Sequence, residues 1–269
     1  MVLLYIKIKM NKMVKCPICK SESKKFLKIK NFKIFRCTNC SIIFLYPIPE
    51  KIEEIYNNEY FENWYLKFYN ERKKYFENFW EKIKKYLPES GKVLDIGCGV
   101  GIWLDLLKEK KFEVYGQDIS NFAINFCREK GFIVYNQLLT EIDLPENTFD
   151  FITMLDVIAH LKTPLEYFKK IKKILKKSGI IVIKTPLHSN FLFFVTTLLS
   201  FIKKSKSILH IPAQIYHFDR KSISNFAKIA DFQIVKIMVI KEFINKKISF
   251  LNIWKFFMEK SMIIILKNE

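Results

Sequence analysis

The nine residues Val93-Leu94-Asp95-Ile96-Gly97-Cys98-Gly99-Val100-Gly101 constrain the fold of this 269-residue chain more than any other segment. An apolar run of strand type contains an acidic residue, Asp95, and glycines then fall at every second position. Glycine reaches φ > 0 and has no Cβ, so such a turn lets a large ligand lie almost against the backbone. A helix that starts directly afterwards turns its free amide groups towards that ligand.

The spacing separates two classes of ligand. A dinucleotide fingerprint of the form G-x-G-x-x-G needs its third glycine at position 102, where this chain has Ile102. Asp95 sits poorly beside a pyrophosphate and suits a cofactor that carries an ammonium group and a positive sulfonium. The run Asp95 to Gly101 resembles the first motif of class I S-adenosylmethionine (SAM)-dependent methyltransferases. The resemblance implies that Asp95, Gly97, Cys98, Gly99 and Gly101 hold SAM. A second acidic residue, Asp118, closes Val114-Tyr115-Gly116-Gln117-Asp118, 21 positions after Gly97. A carboxylate there accepts both hydroxyls of a ribose, and Ile119 would flank the adenine. Support of a helix cap at Ser120 is the alternative account of Asp118. After the third strand the resemblance offers no acidic residue, leaving Gln137 or backbone groups for the adenine.

From Lys92 onward short strands alternate with helices, the pattern of a parallel α/β sheet. Strands are expected near 93–96, 112–117, 133–136, 149–155, 180–184, 233–240 and 262–267. Helices are expected near 103–111, 121–130 and 165–177, the last stopped by Ser178-Gly179. The class is α/β, and the resemblance implies a Rossmann-like seven-stranded methyltransferase sheet whose last two strands pair antiparallel, here with a small N-terminal zinc ribbon.

The ribbon rests on Cys16-Pro17-Ile18-Cys19 and Cys37-Thr38-Asn39-Cys40, two C-x-x-C pairs 17 residues apart. Each pair forms a knuckle presenting two thiolates at about 2.3 Å from a metal, and two knuckles close a tetrahedron. Four thiolates leave no open position, so the zinc is expected to be structural. Phe26 to Arg36 alternates apolar and basic residues around Asn31 and reads as a hairpin. The expected organisation is a zinc ribbon over 14–46, a helical linker over 47–90 and a methyltransferase domain over 91–269. In the linker, aromatic residues from Tyr56 to Trp80 recur at three- and four-residue steps, a stripe for packing on the main domain.

The fourth-strand region, Phe149 to Leu161, resembles quinone-biosynthesis and related small-molecule methyltransferases, in which Glu-His closes the loop. Here the pair is Ala159-His160, so proton removal from an acceptor falls to His160 or to Asp156. Imidazole titrates where a general base is useful, and ligands bind at the carboxyl edge of such sheets. His188 and His217 are further candidates for the pocket wall.

Acceptor specificity is expected in two apolar insertions, Phe191–Ile202 and Ile248–Met258. Twelve mostly apolar residues are too few to span a bilayer. They suit a buried helix, a lid, or an interfacial helix whose following lysines meet anionic headgroups. The resemblance implies a small-molecule, saccharide or lipid-linked acceptor. The chain carries 46 Lys+Arg against 27 Asp+Glu, a formal charge of +19. That balance favours nucleic acid, anionic membranes or acidic substrates as partners. Lysine spread among Ile, Asn and Phe along the whole chain also fits a compositional bias. An RNA methyltransferase using the ribbon and lysines, and a SAM-binding protein without chemistry, stay open as alternatives. Met1 to Met10 lacks a cleavage site, and six cysteines in this pattern argue against a disulfide framework. The expected location is the cytoplasm, with peripheral contact at the inner face of the membrane on the interfacial reading.

Overall fold

A computed structural model describes residues 14–29, 31–50, 58–188, 193, 209–241 and 260–269. Of the two apolar insertions, only Phe193 lies within the described residues. The opening segment and residues 51–57 of the linker also lie outside them.

Two sheets organise the chain. The larger has seven strands in the order β11-β12-β9-β8-β5-β6-β7. They are β5 (Lys92–Ile96), β6 (Glu113–Gln117), β7 (Ile133–Tyr135), β8 (Phe149–Leu155), β9 (Leu175–Pro186), β11 (Gln233–Lys241) and β12 (Lys260–Lys267). β5 pairs in parallel with β6 and β8, β6 with β7, and β8 with β9. β12 runs antiparallel to both β9 and β11, the arrangement expected for the last two strands. The central strands are near-continuous apolar runs because both faces are covered. Leu94, Ile152, Ile183 and Ile264 bury one face, and Val93, Phe151, Val182 and Ile263 the other.

Helices α3 (Ile102–Glu109), α4 (Asn121–Glu129), α5 (Pro164–Ile174) and α6 (Arg220–Ile229) connect these strands. Preceding them are α1 (Asn58–Phe61), a π-helical turn at Glu62–Leu66 and α2 (Tyr69–Ile83). The aromatic stripe of α2 packs on the domain as its spacing suggests. Phe76, Phe79 and Trp80 surround Trp103 of α3, with ring centroids 5.4, 5.5 and 6.4 Å away. Fully burying such a side chain stabilises by about 1.5–3 kcal/mol, which fixes α2 against the helix that begins at the glycine turn.

One helix boundary departs from expectation. α5 ends at Ile174, and Ser178-Gly179 lies inside β9 instead of stopping the helix. Asn268, just after β12, supplies the reason. Its side-chain amide donates to the carbonyls of Lys172, Leu175 and Lys176 at 3.1–3.3 Å. Its backbone carbonyl accepts from Ser178, whose φ of 61° forms an irregularity in the strand. The helix is thus capped by a residue that sequence neighbours do not reveal.

The smaller sheet has the order β1-β2-β3-β4-β10. β2 (Glu22–Ile29) and β3 (Phe32–Cys37) form the hairpin expected between the cysteine pairs. β1 (Val14–Lys15) and β4 (Ile43–Tyr46) flank it. The fifth strand, β10 (Tyr216–His217), comes from the far end of the chain and pairs with Ile43 and Phe44. Tyr216 and Phe218 face the main core, while His217 faces a separate cluster with Ile34, Ile43, Leu45 and Phe193.

Candidate active site and cysteine cluster

The glycine turn leaves β5 at the carboxyl edge of the sheet. Gly97, Gly99 and Gly101 have φ of 74°, 52° and 76°, so all three need the left-handed region that glycine tolerates. Gly101 caps α3, whose first amides face the turn. At Gly97 an added Cβ would stand 2.3 Å from Val157 Cγ2. Cys98 contributes backbone only: its thiol is buried and turned towards Gly116, where an added Cβ would stand 2.8 Å away.

Asp95 and Thr153 are register partners on adjacent strands, and both are buried. Thr153 Oγ1 donates to Asp95 Oδ1 at 2.6 Å, and Trp103 Nε1 donates to Thr153 Oγ1 at 3.2 Å. Burial pushes the Asp95 carboxyl up to about 7; the Thr153 hydroxyl opposes the shift and the Asp118 carboxylate adds to it. Thr153 and Trp103 were not singled out from the sequence. A hydroxyl inside the apolar run Phe151-Ile152-Thr153-Met154 is the signal that would have found the first.

Asp118 leaves β6 beside the turn. Its Oδ2 accepts from the Gly99 amide and its Oδ1 from the Ser120 amide, each at 2.9 Å. Burial raises its pKa against those amides. Each oxygen keeps a second lone pair for a ligand hydroxyl. Ser120 itself caps α4 through Ala123. Ile119 and Leu138 are apolar yet 36% and 38% exposed at the ends of β6 and β7, as the walls of a slot for a flat ring would be. The Gln137 carbonyl is engaged by Gln117 Nε2 at 2.6 Å.

Across the edge, β8 ends in the loop that carries Asp156 and His160. Asp156 has φ of 62°, and its Oδ2 accepts from buried Lys184 Nζ at 2.5 Å. His160 Nδ1 lies 2.8 Å from the Ala213 carbonyl. A carbonyl only accepts, so Nδ1 carries the proton and Nε2 the lone pair. Burial holds the imidazole below its usual range, against the pull of that carbonyl. The loop is tied to the smaller sheet, since Ile215 donates to Ala159 at 2.8 Å and Leu45 donates to Ile215 at 2.9 Å.

His188 and His217 are buried edge to face, ring centroids 4.5 Å apart. Burial pushes His188 down to about 3 and His217 well down as well. They are packed against each other and Phe193, inside the junction between the sheets.

At the other end of the smaller sheet the Sγ atoms of Cys16, Cys19, Cys37 and Cys40 lie within 4.8 Å of one another. None is in a disulfide. The Cys16–Cys40 and Cys19–Cys37 separations are 3.6 and 3.3 Å, near the roughly 3.8 Å edge of a tetrahedron with 2.3 Å arms. The Cys40 partner lowers the Cys16 thiol to about 5, and the Cys40 thiol is raised in turn.

A family model described as a methyltransferase domain matches residues 57–237. The chain belongs to this methyltransferase family. The methyltransferase is 34% identical over 122 residues to YqeM of Bacillus subtilis, covering 42% of this chain and 49% of that one. It is 30% identical over 105 residues to a ubiquinone biosynthesis O-methyltransferase of Histophilus somni, covering 35% and 44%. It is 31% identical over 146 residues to a tRNA U34 carboxymethyltransferase of Helicobacter pylori, covering 50% and 56%. The matches span about half the length of these curated relatives. A SAM-dependent methyltransferase structure from Thermotoga maritima aligns with TM-score 0.58 at 20% identity, over 81% of this chain and 98% of that one. The family is that of the methyltransferase domain, and the fold is shared with solved SAM-dependent methyltransferases. The relatives' names differ in acceptor and leave this one's acceptor undetermined.

The buried carboxyl gives this methyltransferase a testable pH dependence. The Asp95 pKa is raised, so the apo protein holds its proton up to about pH 7, and a cationic ligand favours the ionised form. SAM binding is expected to release a proton near pH 7, and its affinity to fall by close to tenfold per pH unit below that. Calorimetry in buffers of different ionisation enthalpy measures the release. Asp95→Asn should remove it, and an unchanged proton count in that variant would sink the assignment.

Proposed function

We propose that the chain transfers the methyl group of SAM to a small-molecule, saccharide or lipid-linked acceptor, with His160 as general base. The observation that carries this reading is the Nδ1–H bond to Ala213, which leaves the lone pair of a neutral imidazole on Nε2. Asp156 is the weaker base because Lys184 already occupies its carboxylate.

In this reading SAM, when bound, supplies an electrophilic methyl on a sulfonium. Asp95 answers its positive charge, and Gly97, Cys98, Gly99 and Gly101 admit it to the backbone. Asp118 takes the ribose hydroxyls, and Ile119 with Leu138 encloses the adenine. SAM would supply its methyl carbon as the electrophile for the acceptor atom, and His160 Nε2 would take the proton that the acceptor gives up. The gain over solution comes mainly from holding the acceptor in line with that methyl carbon.

The four cysteines hold a structural zinc in the same reading. Their donor set suits it: four thiolates at tetrahedral spacing with no position left for substrate. Cytoplasmic location with peripheral membrane contact completes the proposal.

The test is transfer of labelled methyl from SAM into native extract, fractionated into RNA, lipid and small molecules. Label is expected in the lipid, saccharide or small-molecule fraction, and nuclease-sensitive label would replace this reading with an RNA acceptor. His160→Ala should lower transfer about 10²–10⁴-fold, the usual contribution of general base catalysis, with SAM affinity unchanged. Equal loss in SAM binding would remove His160 from the role of base.

A further inference from the structure

The smaller sheet concentrates positive charge: residues 14–46 contain eight Lys and Arg and one Glu. Register places three of these cations on one face of the sheet, beyond the part where Phe35 and Phe44 of the same face pack on the main core. Lys28 lies directly opposite Lys33, Lys33 opposite Tyr46, and Lys25 opposite Phe35. Like charges directly opposite in a sheet destabilise it. Yet Lys25, Lys28 and Lys33 are all exposed and, among the described residues, none makes an ion pair. At the end of the row Lys28–Lys33–Tyr46, Tyr46 is 41% exposed.

Protection of an open edge explains part of the pattern. Among the described residues β1 pairs with β2 only at Glu22 and Ser23, and lysines on an edge strand discourage unwanted pairing. That accounts for Lys25 and Lys28. It does not account for Lys33, which sits on β3 between two paired strands.

The face is also close in connectivity to the candidate base. Tyr46 leads through Pro47 to Glu50, whose carbonyl accepts from Lys162 Nζ at 2.5 Å, two residues after His160. Ile48 packs on the main core on the way.

We propose that Lys25, Lys28, Lys33 and Tyr46 dock the enzyme on an anionic membrane surface, presenting the His160 loop to an acceptor held there. This rests on the lipid-linked form of the function proposed above. Lysines around a tyrosine are the composition of a membrane interface, where the cations meet headgroups and the ring lies at their level. Single-stranded RNA fits less well, because it needs successive open rings for successive bases. Phe35, the neighbouring ring, is already in contact with Phe44 and Tyr46.

The experiment is flotation of the full chain, as purified with its metal, on vesicles of phosphatidylcholine alone or with phosphatidylglycerol. SAM affinity is measured on the same preparation. Binding is expected to the anionic vesicles only and to vanish at high salt. The triple variant K25E/K28E/K33E should bind them at least about tenfold more weakly, with SAM affinity and melting temperature unchanged. Equal binding by the variant, equal binding to neutral vesicles, or no vesicle binding would overturn the proposal. So would capture of a single-stranded RNA oligonucleotide, dependent on the same lysines, in place of vesicles. Loss of SAM binding in the wild-type chain would instead refute the methyl-transfer reading itself.

Discussion

Gly97→Ala is expected to weaken SAM binding by at least about a hundredfold. Two effects act together. The residue has φ of 74°, which costs a non-glycine residue roughly 1–3 kcal/mol. Its new Cβ would also stand 2.3 Å from Val157 Cγ2, so either the turn or the loop leading to His160 must move. Gly131→Ala separates the two effects. That glycine has nearly the same φ, 75°, with no atom within 4 Å of an added Cβ. It should lose about 1 kcal/mol of stability and no SAM affinity. Adding Val157→Ala to Gly97→Ala should restore part of the affinity by relieving the contact but not the backbone strain. Calorimetric titration of the four proteins decides it; wild-type affinity in Gly97→Ala would show that the turn does not approach the cofactor.

Cys16→Ser combined with Cys40→Ser is expected to melt the smaller sheet and abolish methyl transfer while SAM affinity changes only a few-fold. A structural zinc in a small domain contributes on the order of 10 kcal/mol to its folding. The consequence reaches the active site through three links. β4 pairs with β10, Leu45 donates to the Ile215 carbonyl, and Ile215 donates to the Ala159 carbonyl. Loss of that chain of bonds releases the His160 loop, whereas the glycine turn rests on β5, β6 and α3. The readouts are zinc content, hydrogen exchange over 14–46 and 209–218, and labelled-methyl transfer. Unchanged exchange in the double variant would show that the cysteines do not hold the sheet together.

Much of this architecture was legible in the chain because its signals are local. The glycine turn, the alternation of strands and helices, the hairpin between cysteine pairs and the aromatic stripe of α2 each lie within a few turns or one strand. Period and turn chemistry fix such features wherever the segment ends up. The Asp95–Gly101 run and Asp118 could be paired from the sequence because parallel sheets bring successive strand ends to one edge.

Other features depend on which strand lies beside which, and no local pattern encodes that. Trp103, Thr153 and Asp95 form one buried chain only because β5 and β8 are adjacent and α3 covers them. Asn268 moves the end of α5 and draws Ser178-Gly179 into β9 only because β12 lies beside β9. His217, read along the chain as a pocket residue, is sealed against His188 because β10 leaves the main domain to complete the N-terminal sheet. The sequence by itself determined the fold class, the glycine turn and the four-cysteine cluster. Tertiary structure alone decided what orients Asp95 and His160, since those hydrogen bonds join residues brought together only by packing.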